Sequence, residues 1–333
     1  MTKFVFVTGG AGYIGSHACK ALALKGYVPV TLDNLSTGWK ESVKYGPFEH
    51  VDLLDLDRLE KLFKFYRPEC VFHFAAYSQV GESVLNPANY WKNNFVGSMN
   101  LINTSLDQGC VDVIFSSTCA TYGEQDNIVL EEHHNQTPTS PYGASKKAVE
   151  DLIFSYGQAY GLNAVIFRYF NIAGADTEAE IGERHEPETH LIPLIFDTIL
   201  GYKDSITIFG DNYETFDGTC VRDYLHVSDL VHAHTLGMDW LKFNPGVNVF
   251  NLGIGKGYSV KEVINAAEYV TNEVVPVQIG VRRDGDCAQL VSGSQKAKRL
   301  LGWHPDRSNL HRIIEDAWRW HRKMRSNYEQ GKV

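Results

Sequence analysis

The sequence Val7-Thr8-Gly9-Gly10-Ala11-Gly12-Tyr13-Ile14-Gly15 joins a short apolar run, which begins at Phe4, to an amphipathic stretch. A strand, a glycine turn and a helix in this order are typical of a dinucleotide-binding unit. The glycines at 9, 12 and 15 allow a tight turn and a close backbone approach, and the helix that starts at Tyr13 and Ile14 directs its positive end at a pyrophosphate. The alternative is a tight turn that binds nothing. The complete strand, turn and helix favour the dinucleotide site.

Short β-branched runs alternate with amphipathic stretches through the rest of the first half of the chain. The further runs are Val28–Leu32, Val71–Phe74, Val111–Phe115 and Ala164–Phe167. This alternation predicts an α/β fold, with a doubly wound parallel sheet of the Rossmann type that is covered by helices on both faces.

The pattern changes after Asn171, where loops rich in Gly, Glu and Pro begin. We expect a second, smaller α/β lobe here, since a single core rarely grows to the size of the whole chain. The predicted division gives residues 1–170 to a dinucleotide-binding domain, to which residues 224–251 return. Residues 171–223 and 252–333 then form the substrate lobe.

Composition excludes several classes of protein. The 333 residues are 44% hydrophobic and 21% charged, which is the balance of a soluble globular protein. The net charge of -9 gives no electrostatic basis for binding nucleic acid or a membrane surface. The six cysteines are too scattered for a disulfide framework or a paired zinc motif. The start MTKFVFVTGG has only a short apolar run, so we expect no signal peptide, no membrane span and a cytoplasmic location.

A carboxylate at the end of the second run indicates which dinucleotide binds. Asp33 stands about 20 residues after the glycine turn, where a carboxylate can accept hydrogen bonds from ribose hydroxyls. It would repel a 2′-phosphate, and the neighbours Asn34 to Thr37 include no arginine to hold one. The sequence therefore predicts NAD rather than NADP.

A tyrosine and a lysine share one helical turn in SPYGASK at residues 140–146. Ser140 and Pro141 are typical of a helix start, and side chains four residues apart lie on one face. Tyr142 would be a base at neutral pH only where positive charge favours the phenolate, which Lys146 and a nicotinamide cation would supply. The hydroxyls of residues 116–118 follow a predicted strand, so they should face the same site.

Longer motifs follow one another along the chain: VTGGAGYIGSH at 7–17, VGESV at 80–84, FSSTCATYG at 115–123, SPYGASK at 140–146, RYFN at 168–171 and VRDYLHV at 221–227. In this order they resemble the extended short-chain dehydrogenases, and within them the UDP-glucose 4-epimerases. The resemblance covers nearly the whole chain.

The resemblance implies a role for each matched residue. Tyr142 would be the catalytic base, Lys146 its electrostatic partner, and Thr118 the hydroxyl that bonds the 4-oxygen of the sugar. Many members have serine at the position of Thr118, and threonine keeps the hydroxyl. The implied cofactor is NAD, with contacts from Gly9, Gly12, Tyr13, Ile14, Gly15, Asp33, Asn34, Asp52, Leu53, Phe74, Ala75, Asn94, Ser116, Tyr142, Lys146 and Tyr169.

The implied substrate is a UDP-sugar. Arg222 and Arg283 are predicted to clamp the diphosphate, because a guanidinium group can bond two phosphate oxygens. Leu290 stands where some members have a tyrosine and others a small residue that admits N-acetylated sugars. The full set of predicted substrate contacts is Thr118, Asn171, His190, Leu191, Phe209, Arg222, Arg283 and Asp286.

No metal is predicted. His133 and His134 adjoin two glutamates, but the segment EEHHNQTP is expected to be a solvated loop. Among the implied substrate contacts, His190 stands where many members have asparagine.

The implied reaction is the reversible oxidation of a UDP-sugar at C4, rotation of the 4-keto sugar and its reduction on the other face. UDP-glucose and UDP-galactose are the expected pair. Alternatives are a UDP-pentose or a UDP-N-acetylhexosamine 4-epimerase, and a non-catalytic NAD-binding regulator. A dehydratase is disfavoured because Cys119 and Ala120, rather than two acids, follow Thr118.

The resemblance also implies a homodimer, since members are commonly homodimers. The helices around Ala88–Leu106 and Ala144–Tyr160 would form its interface.

Overall fold

A computed structural model describes residues 2–125, 129–283 and 287–329. The strands are β1 (Phe4–Thr8), β2 (Val28–Asp33), β3 (Phe48–His50), β4 (Cys70–His73), β5 (Asp112–Ser116), β6 (Val129–Leu130), β7 (Asn163–Tyr169), β8 (Asn171–Ala173), β9 (Ile206–Phe209), β10 (Val221–Arg222), β11 (Tyr224–His226), β12 (Val247–Leu252), β13 (Tyr258–Ser259), β14 (Val277–Gly280) and β15 (Gln289–Ser292).

The α-helices are α1 (Tyr13–Leu24), α2 (Leu56–Tyr66), α3 (Val80–Leu85), α4 (Pro87–Tyr90), α5 (Gly97–Asp107), α6 (Pro141–Tyr160), α7 (Leu191–Ile199), α8 (Val227–Leu241), α9 (Val260–Thr271), α10 (Gln295–Leu301) and α11 (Leu310–Glu329). A π-helical turn, Trp91–Val96, links α4 to α5.

A seven-stranded sheet with the order β12-β7-β5-β4-β1-β2-β3 forms the centre of the molecule. All of its neighbouring strands pair in parallel. The order reverses at β1, which lies between β2 and β4, so the carboxyl ends of β1 and β4 form a switch point where ligands bind in such sheets. The predicted doubly wound parallel sheet is confirmed.

Alternate residues of β1 show why the sheet needs helices on both faces. Val5 and Val7 belong to a buried cluster with residues of α1 and α8, whereas Phe6 belongs to a second cluster with residues of α2, α5 and α6. Side chains of a strand point alternately to the two faces, so an apolar run buries both. Helices on each face therefore complete the core.

The strand limits differ by a few residues from those that the sequence predicts. β7 runs on through Arg168 and Tyr169, past the predicted end at Phe167. A charged residue is a poor strand signal in a sequence, but Arg168 is only 3% exposed because a buried carboxylate pairs with it. Long-range pairing, invisible in the local pattern, thus extends this strand.

A third buried cluster lies outside the large sheet and is formed by α7, α9, α11 and β9. A separate four-stranded sheet has the strand order β13-β10-β15-β6. The segment from β11 to β12 joins the two regions, since α8 packs against α1 and β12 pairs with β7. The division of the chain into a dinucleotide lobe and a substrate lobe stays a prediction.

Two further expectations concern the chain as a whole. The six cysteines are free thiols, and five of them are buried. Among the residues that the structure describes, no helix is both long and apolar enough to cross a membrane.

Glu150 anchors α6 to the sheet beneath the cavity described below. Its carboxylate is fully buried and accepts hydrogen bonds from Arg168, from Ser117 and from the amide of Gln136, the last at 2.9 Å. Arg168 also donates to the hydroxyl of Tyr122 at 2.9 Å. A buried charge with this many partners holds its helix in place only while the partners remain.

Replacing Arg168 by methionine should destabilise the fold by about 3–5 kcal/mol, because the Glu150 carboxylate would then be buried without its cation. Arg58→Met is the matched control. Arg58 is half-exposed in its pair with Glu49, so its loss should cost less than about 1 kcal/mol. Urea unfolding measures both, and equal losses for the two variants would contradict the role of the buried pair.

Candidate active site

A cavity of about 570 Å³ opens at the carboxyl ends of the central strands, between the sheet and the third cluster. Most of the predicted cofactor contacts line it: Gly9, Gly12, Tyr13, Ile14, Gly15, Asp33, Asn34, Asp52, Leu53, Phe74, Ala75, Ser116, Tyr142, Lys146 and Tyr169. Of the predicted substrate contacts, it is lined by Thr118, Asn171, His190 and Arg222. Residues far apart in the chain are thus brought to one cleft.

The glycine turn approaches other backbone too closely for any side chain. A Cβ at Gly15 would lie 2.1 Å from the carbonyl oxygen of Gly9, and one at Gly9 would lie 2.7 Å from the amide nitrogen of Ala75. Gly9 also has a φ of +70°, which favours glycine. Gly12 precedes α1, and no described side chain caps this helix start. Its N–H groups therefore face the cavity as an anion site.

Two carboxylates line the next part of the cavity. Asp33 accepts hydrogen bonds from the amides of Ala11 at 3.0 Å and Leu35 at 2.8 Å, and burial raises the pKa of its carboxyl while these bonds lower it. Asp52 accepts from the side-chain amide of Asn34 at 2.9 Å. Local hydrogen bonds thus hold both carboxylates at the cavity wall, and their contact with a ribose stays a prediction.

Asn94 lies behind the cavity wall and is not among the described residues that line it. It is 1% exposed, and its amide group accepts from the backbone N–H of Tyr77 at 2.8 Å and donates to the carbonyl of Tyr77 at 3.0 Å. Tyr77 itself lines the cavity. In the structure Asn94 therefore positions the wall, and its direct contact with a cofactor stays a prediction.

The start of α6 carries the predicted base. The Ser140 hydroxyl accepts from the amide of Gly143 at 3.2 Å, and Pro141 occupies the first turn, as predicted. A Cβ at Gly143 would lie 2.5 Å from the carbonyl oxygen of Ala120, so the helix packs directly on the loop that holds Thr118. This contact brings Tyr142 to Thr118.

Burial dominates the protonation of the Tyr142 and Lys146 pair. It raises the pKa of Tyr142 to about 12, although a hydrogen bond with Thr118 lowers it. Burial also lowers the pKa of Lys146 to about 7, despite the opposing charge of Glu150. The lysine Nζ donates to the carbonyl of Ser116 at 2.9 Å. In the protein alone burial therefore outweighs what lowers the pKa of Tyr142, and the effect of Lys146 together with a bound cofactor stays a prediction.

Ser116 and Tyr169 close the cavity floor, where their hydroxyls share a hydrogen bond. Both are buried, at 6% and 7% exposure. Burial raises the pKa of Tyr169 far above its ordinary value, so this hydroxyl stays protonated. Tyr142 is accordingly the tyrosine whose position beside Thr118 and Lys146 suits proton transfer.

Three of the predicted substrate residues that the structure describes lie elsewhere. Phe209 and Arg283 stack on each other, with the guanidinium carbon 3.7 Å from the ring centroid, and neither is among the described cavity-lining residues. Leu191 is likewise absent from that lining and packs on the third cluster. Asp286 lies outside the described residues. Their predicted contacts stay predictions.

The sequence reading missed a group of titratable side chains at the cavity mouth. Glu183, His185, Glu188 and His190 form this His/Glu cluster, and three of them line the cavity. Burial lowers the pKa of His190, but Glu183 and Glu188 outweigh it and raise that pKa to about 9. The alternating acids and histidines in ERHEPETH at 183–190 are the signal that could have found it.

Comparison with known proteins identifies the family. The model of the NAD dependent epimerase/dehydratase family matches residues 5–253. The chain belongs to this family. It is 47% identical over 317 residues to a UDP-glucose 4-epimerase of Rhizobium meliloti (strain 1021), covering 95% of this chain and 96% of that protein.

Solved structures of the family agree with the fold. The crystal structure of UDP-glucose 4-epimerase from Brucella ovis in complex with NAD is 44% identical, with a TM-score of 0.93 over 96% of this chain and 99% of that one. A UDP-glucose-4-epimerase from Stenotrophomonas maltophila, with bound NAD and formylated UDP-arabinopyranose, is 37% identical, with a TM-score of 0.94 over 98% and 99%. The resemblance seen in the sequence motifs is confirmed at the level of the family.

The lowered pKa of Lys146 predicts a pH-dependent cost to stability. The pKa of Lys146 is about 7 in the folded protein and has the ordinary value of 10.5 in the unfolded chain. Between pH 7 and pH 10.5 the unfolded chain therefore binds a proton at this lysine that the folded protein does not. The Lys146→Met variant should therefore gain stability relative to the native chain as pH falls from about 10 to about 7, and level off below that.

Urea unfolding of the cofactor-free protein over this pH range measures the difference. Lys147→Met is the matched control, because this neighbouring lysine is partly exposed and paired with Asp151. Its difference from the native chain should stay flat. A flat difference for Lys146→Met would contradict the burial argument.

Proposed function

We propose that the protein is a NAD-dependent UDP-glucose 4-epimerase that interconverts UDP-glucose and UDP-galactose. The observation that carries the proposal is that Tyr142, Lys146 and Thr118 line the same cavity as the glycine turn. Family membership and the 47% identical UDP-glucose 4-epimerase support it independently. The enzyme is therefore an isomerase.

NAD fits the residues present in one half of the cavity. The cradle at Gly9 and Gly15 has no room for a Cβ, and the uncapped start of α1 offers N–H groups to a pyrophosphate. Asp33 supplies a carboxylate for ribose hydroxyls and repels a 2′-phosphate. When bound, NAD supplies a hydride acceptor and donor at its nicotinamide ring.

Tyr142 would take the proton of the sugar 4-hydroxyl as the C4 hydrogen leaves, and return a proton in the reverse step. Its pKa of about 12 in the protein alone is too high for this role. A nearby positive charge must therefore favour the phenolate. Lys146 donates to the Ser116 carbonyl and lies on the same helix face. Because burial lowers the pKa of Lys146, a cationic nicotinamide ring would supply the rest of the positive charge.

Thr118 is proposed to orient the sugar. Its hydroxyl accepts from the amide of Ala120 at 3.1 Å, which fixes the oxygen in the cavity, and its hydrogen bond with Tyr142 places it beside the proposed base, where a substrate oxygen would compete for the hydroxyl hydrogen. Threonine thus supplies the donor that many members supply with serine. The sugar must turn over within the cavity as its 4-ketone, so strong bonds belong to the diphosphate and nucleoside rather than to the ring.

Arg222 and Arg283 are the proposed partners of the substrate diphosphate. Arg222 lines the cavity and donates to the carbonyl of Cys287 at 2.8 Å, which holds the guanidinium group at the cleft. Arg283 stacks on Phe209 and would need to move into the cleft when substrate binds. We propose Phe209 and Asp286 as contacts of the nucleoside, and Asn171, His190 and Leu191 as contacts near the sugar.

The size of the sugar pocket leaves the substrate alternatives open to test. Leu290 lines the cavity and is intermediate in size between a tyrosine and a small residue. A pentose is the second candidate, supported by the relative whose structure holds formylated UDP-arabinopyranose. Dehydration is disfavoured because burial raises the pKa of the Cys119 thiol strongly and Ala120 carries no acid.

We also propose the finer organisation. Residues 1–170 with 224–251 would hold NAD, and residues 171–223 with 252–333 the UDP-sugar. The homodimer would form through the helices α4 to α6, where Trp91 and Phe154 are exposed at 40% and 39%. A cytoplasmic location and a role in galactose metabolism complete the proposal.

The purified protein should convert UDP-galactose to UDP-glucose, and Tyr142→Phe should lower kcat by about 10²–10⁴-fold because the proton acceptor is lost. Tyr160→Phe is the matched control on the same helix, since Tyr160 is 65% exposed. Product analysis by chromatography measures the conversion, with UDP-xylose and UDP-N-acetylglucosamine as parallel substrates. Conversion of UDP-xylose or UDP-N-acetylglucosamine without conversion of UDP-galactose would move the proposal to that sugar. If none of the three substrates is converted, the proposal is overturned.

Phe154→Glu should turn the dimer into a monomer, because it places a charge in an apolar helix interface. Phe243→Glu is the matched control, since Phe243 is 85% exposed at the end of α8, away from α4 to α6. Light scattering at micromolar concentration gives the mass of each. A native monomer, or a dimer that survives Phe154→Glu, would refute the proposed interface.

A further inference from the structure

The loop before α7 gathers four potential metal ligands in eight residues. Each member of the His/Glu cluster contributes one atom, and these four atoms all lie within 4.8 Å of one another. The Nδ1 atom of His185 is 3.4 Å from Glu183 and 3.6 Å from Glu188. The Nδ1 atom of His190 is 3.2 Å and 2.8 Å from the same two carboxylates. Two imidazoles and two carboxylates thus surround one point.

These separations match a tetrahedral site better than a hydrogen-bonded one. Ligands at about 2.0–2.1 Å from a zinc ion stand roughly 3.3 Å apart at tetrahedral angles. The four imidazole–carboxylate distances, 2.8 to 3.6 Å, scatter around that value, with His185 and His190 facing different oxygens of the Glu188 carboxylate. Only the 2.8 Å contact is a normal hydrogen bond.

One ligand atom makes no hydrogen bond of normal geometry. The Nδ1 atom of His185 is buried and hydrogen-bonds to no described residue, although it lies at ion-pair distance from Glu183 and Glu188. Buried polar atoms rarely lack a hydrogen bond, and a cation bound between the two carboxylates and the two imidazoles would satisfy this one. Histidine nitrogen and glutamate oxygen are both ordinary zinc ligands.

The surrounding structure already holds the cluster in place. Trp320 donates to the carbonyl of Glu183 at 2.9 Å, and Trp39 donates to the carbonyl of Arg184 at 3.2 Å. The Arg184 guanidinium stacks on the Trp39 ring at 3.4 Å. At the other end, the Glu188 carboxylate accepts from the backbone N–H of His190 at 2.8 Å. A preformed ligand set of this kind loses little entropy when it binds an ion.

We propose that Glu183, His185, Glu188 and His190 together bind one zinc ion. Four protein ligands complete the tetrahedral shell and leave no open position, so the ion is structural rather than catalytic. It would fix the loop that brings Arg184, His185 and His190 to the cavity wall. The inference concerns this loop and stands apart from the reaction proposed above.

Dialysed full-length protein should bind a single zinc ion per chain. Elemental mass spectrometry gives the stoichiometry, and competition with a chromophoric chelator gives the affinity. The double variant Glu183→Gln with His185→Gln should bind on the order of 100-fold or more weakly, since even outer partners of a metal site cost 10- to 100-fold. Zinc should also raise the melting temperature of the native chain and not that of the variant.

His133→Gln with His134→Gln is the matched control, because these histidines form a solvated pair beside Glu131. The control should bind zinc like the native chain. Cobalt added to the native chain should give the intense visible absorption of tetrahedral coordination, a result that does not depend on whether any variant folds. Zinc binding that the control loses, cobalt without that absorption, or equal affinity of the native chain and the Glu183/His185 variant would overturn the site.

Discussion

No side chain fits between Gly9 and Gly15, and the rest of the site depends on that contact. The chain leaves β1, turns within this space and enters α1, so the start of α1 lies at the point where the strand order reverses. The same turn touches the backbone of Ala75 after β4. The cleft between β1 and β4 is therefore fixed by backbone packing before any side chain contributes.

Burial then sets the chemistry that this cleft can perform. It raises the pKa of Tyr142 to about 12 and lowers that of Lys146 to about 7, so in the protein alone the tyrosine is neutral and the lysine is only partly charged at neutral pH. A bound cofactor with a cationic ring would add the positive charge that favours the Tyr142 phenolate, so we expect proton transfer to depend on the cofactor. Glu150 keeps α6 in register through its buried bond with Arg168, and so keeps Tyr142 beside Thr118.

The sequence predicts those parts of the molecule that local order determines. Alternating apolar residues give the sheet and its helices, and contiguous motifs give the glycine turn and the Tyr142 helix. The sequence does not predict features that depend on packing between distant segments. Asn94 holds Tyr77 from behind the wall, β7 continues through a charged Arg168, and the His/Glu cluster needs its loop to fold before its ligands converge. The sequence also does not show how deeply a side chain is buried, so it does not predict that burial raises the pKa of Tyr142 and lowers that of Lys146.

In the proposed reaction one hydrogen leaves C4 of the sugar and returns to the same carbon inside the cleft. UDP-galactose carrying deuterium at C4 distinguishes this route, with the product examined by nuclear magnetic resonance after turnover in ordinary water. The UDP-glucose formed should keep the deuterium at C4, since hydride transfer does not exchange with solvent. Loss of the label to solvent would rule out hydride transfer, because it would show that the C4 hydrogen leaves as a proton.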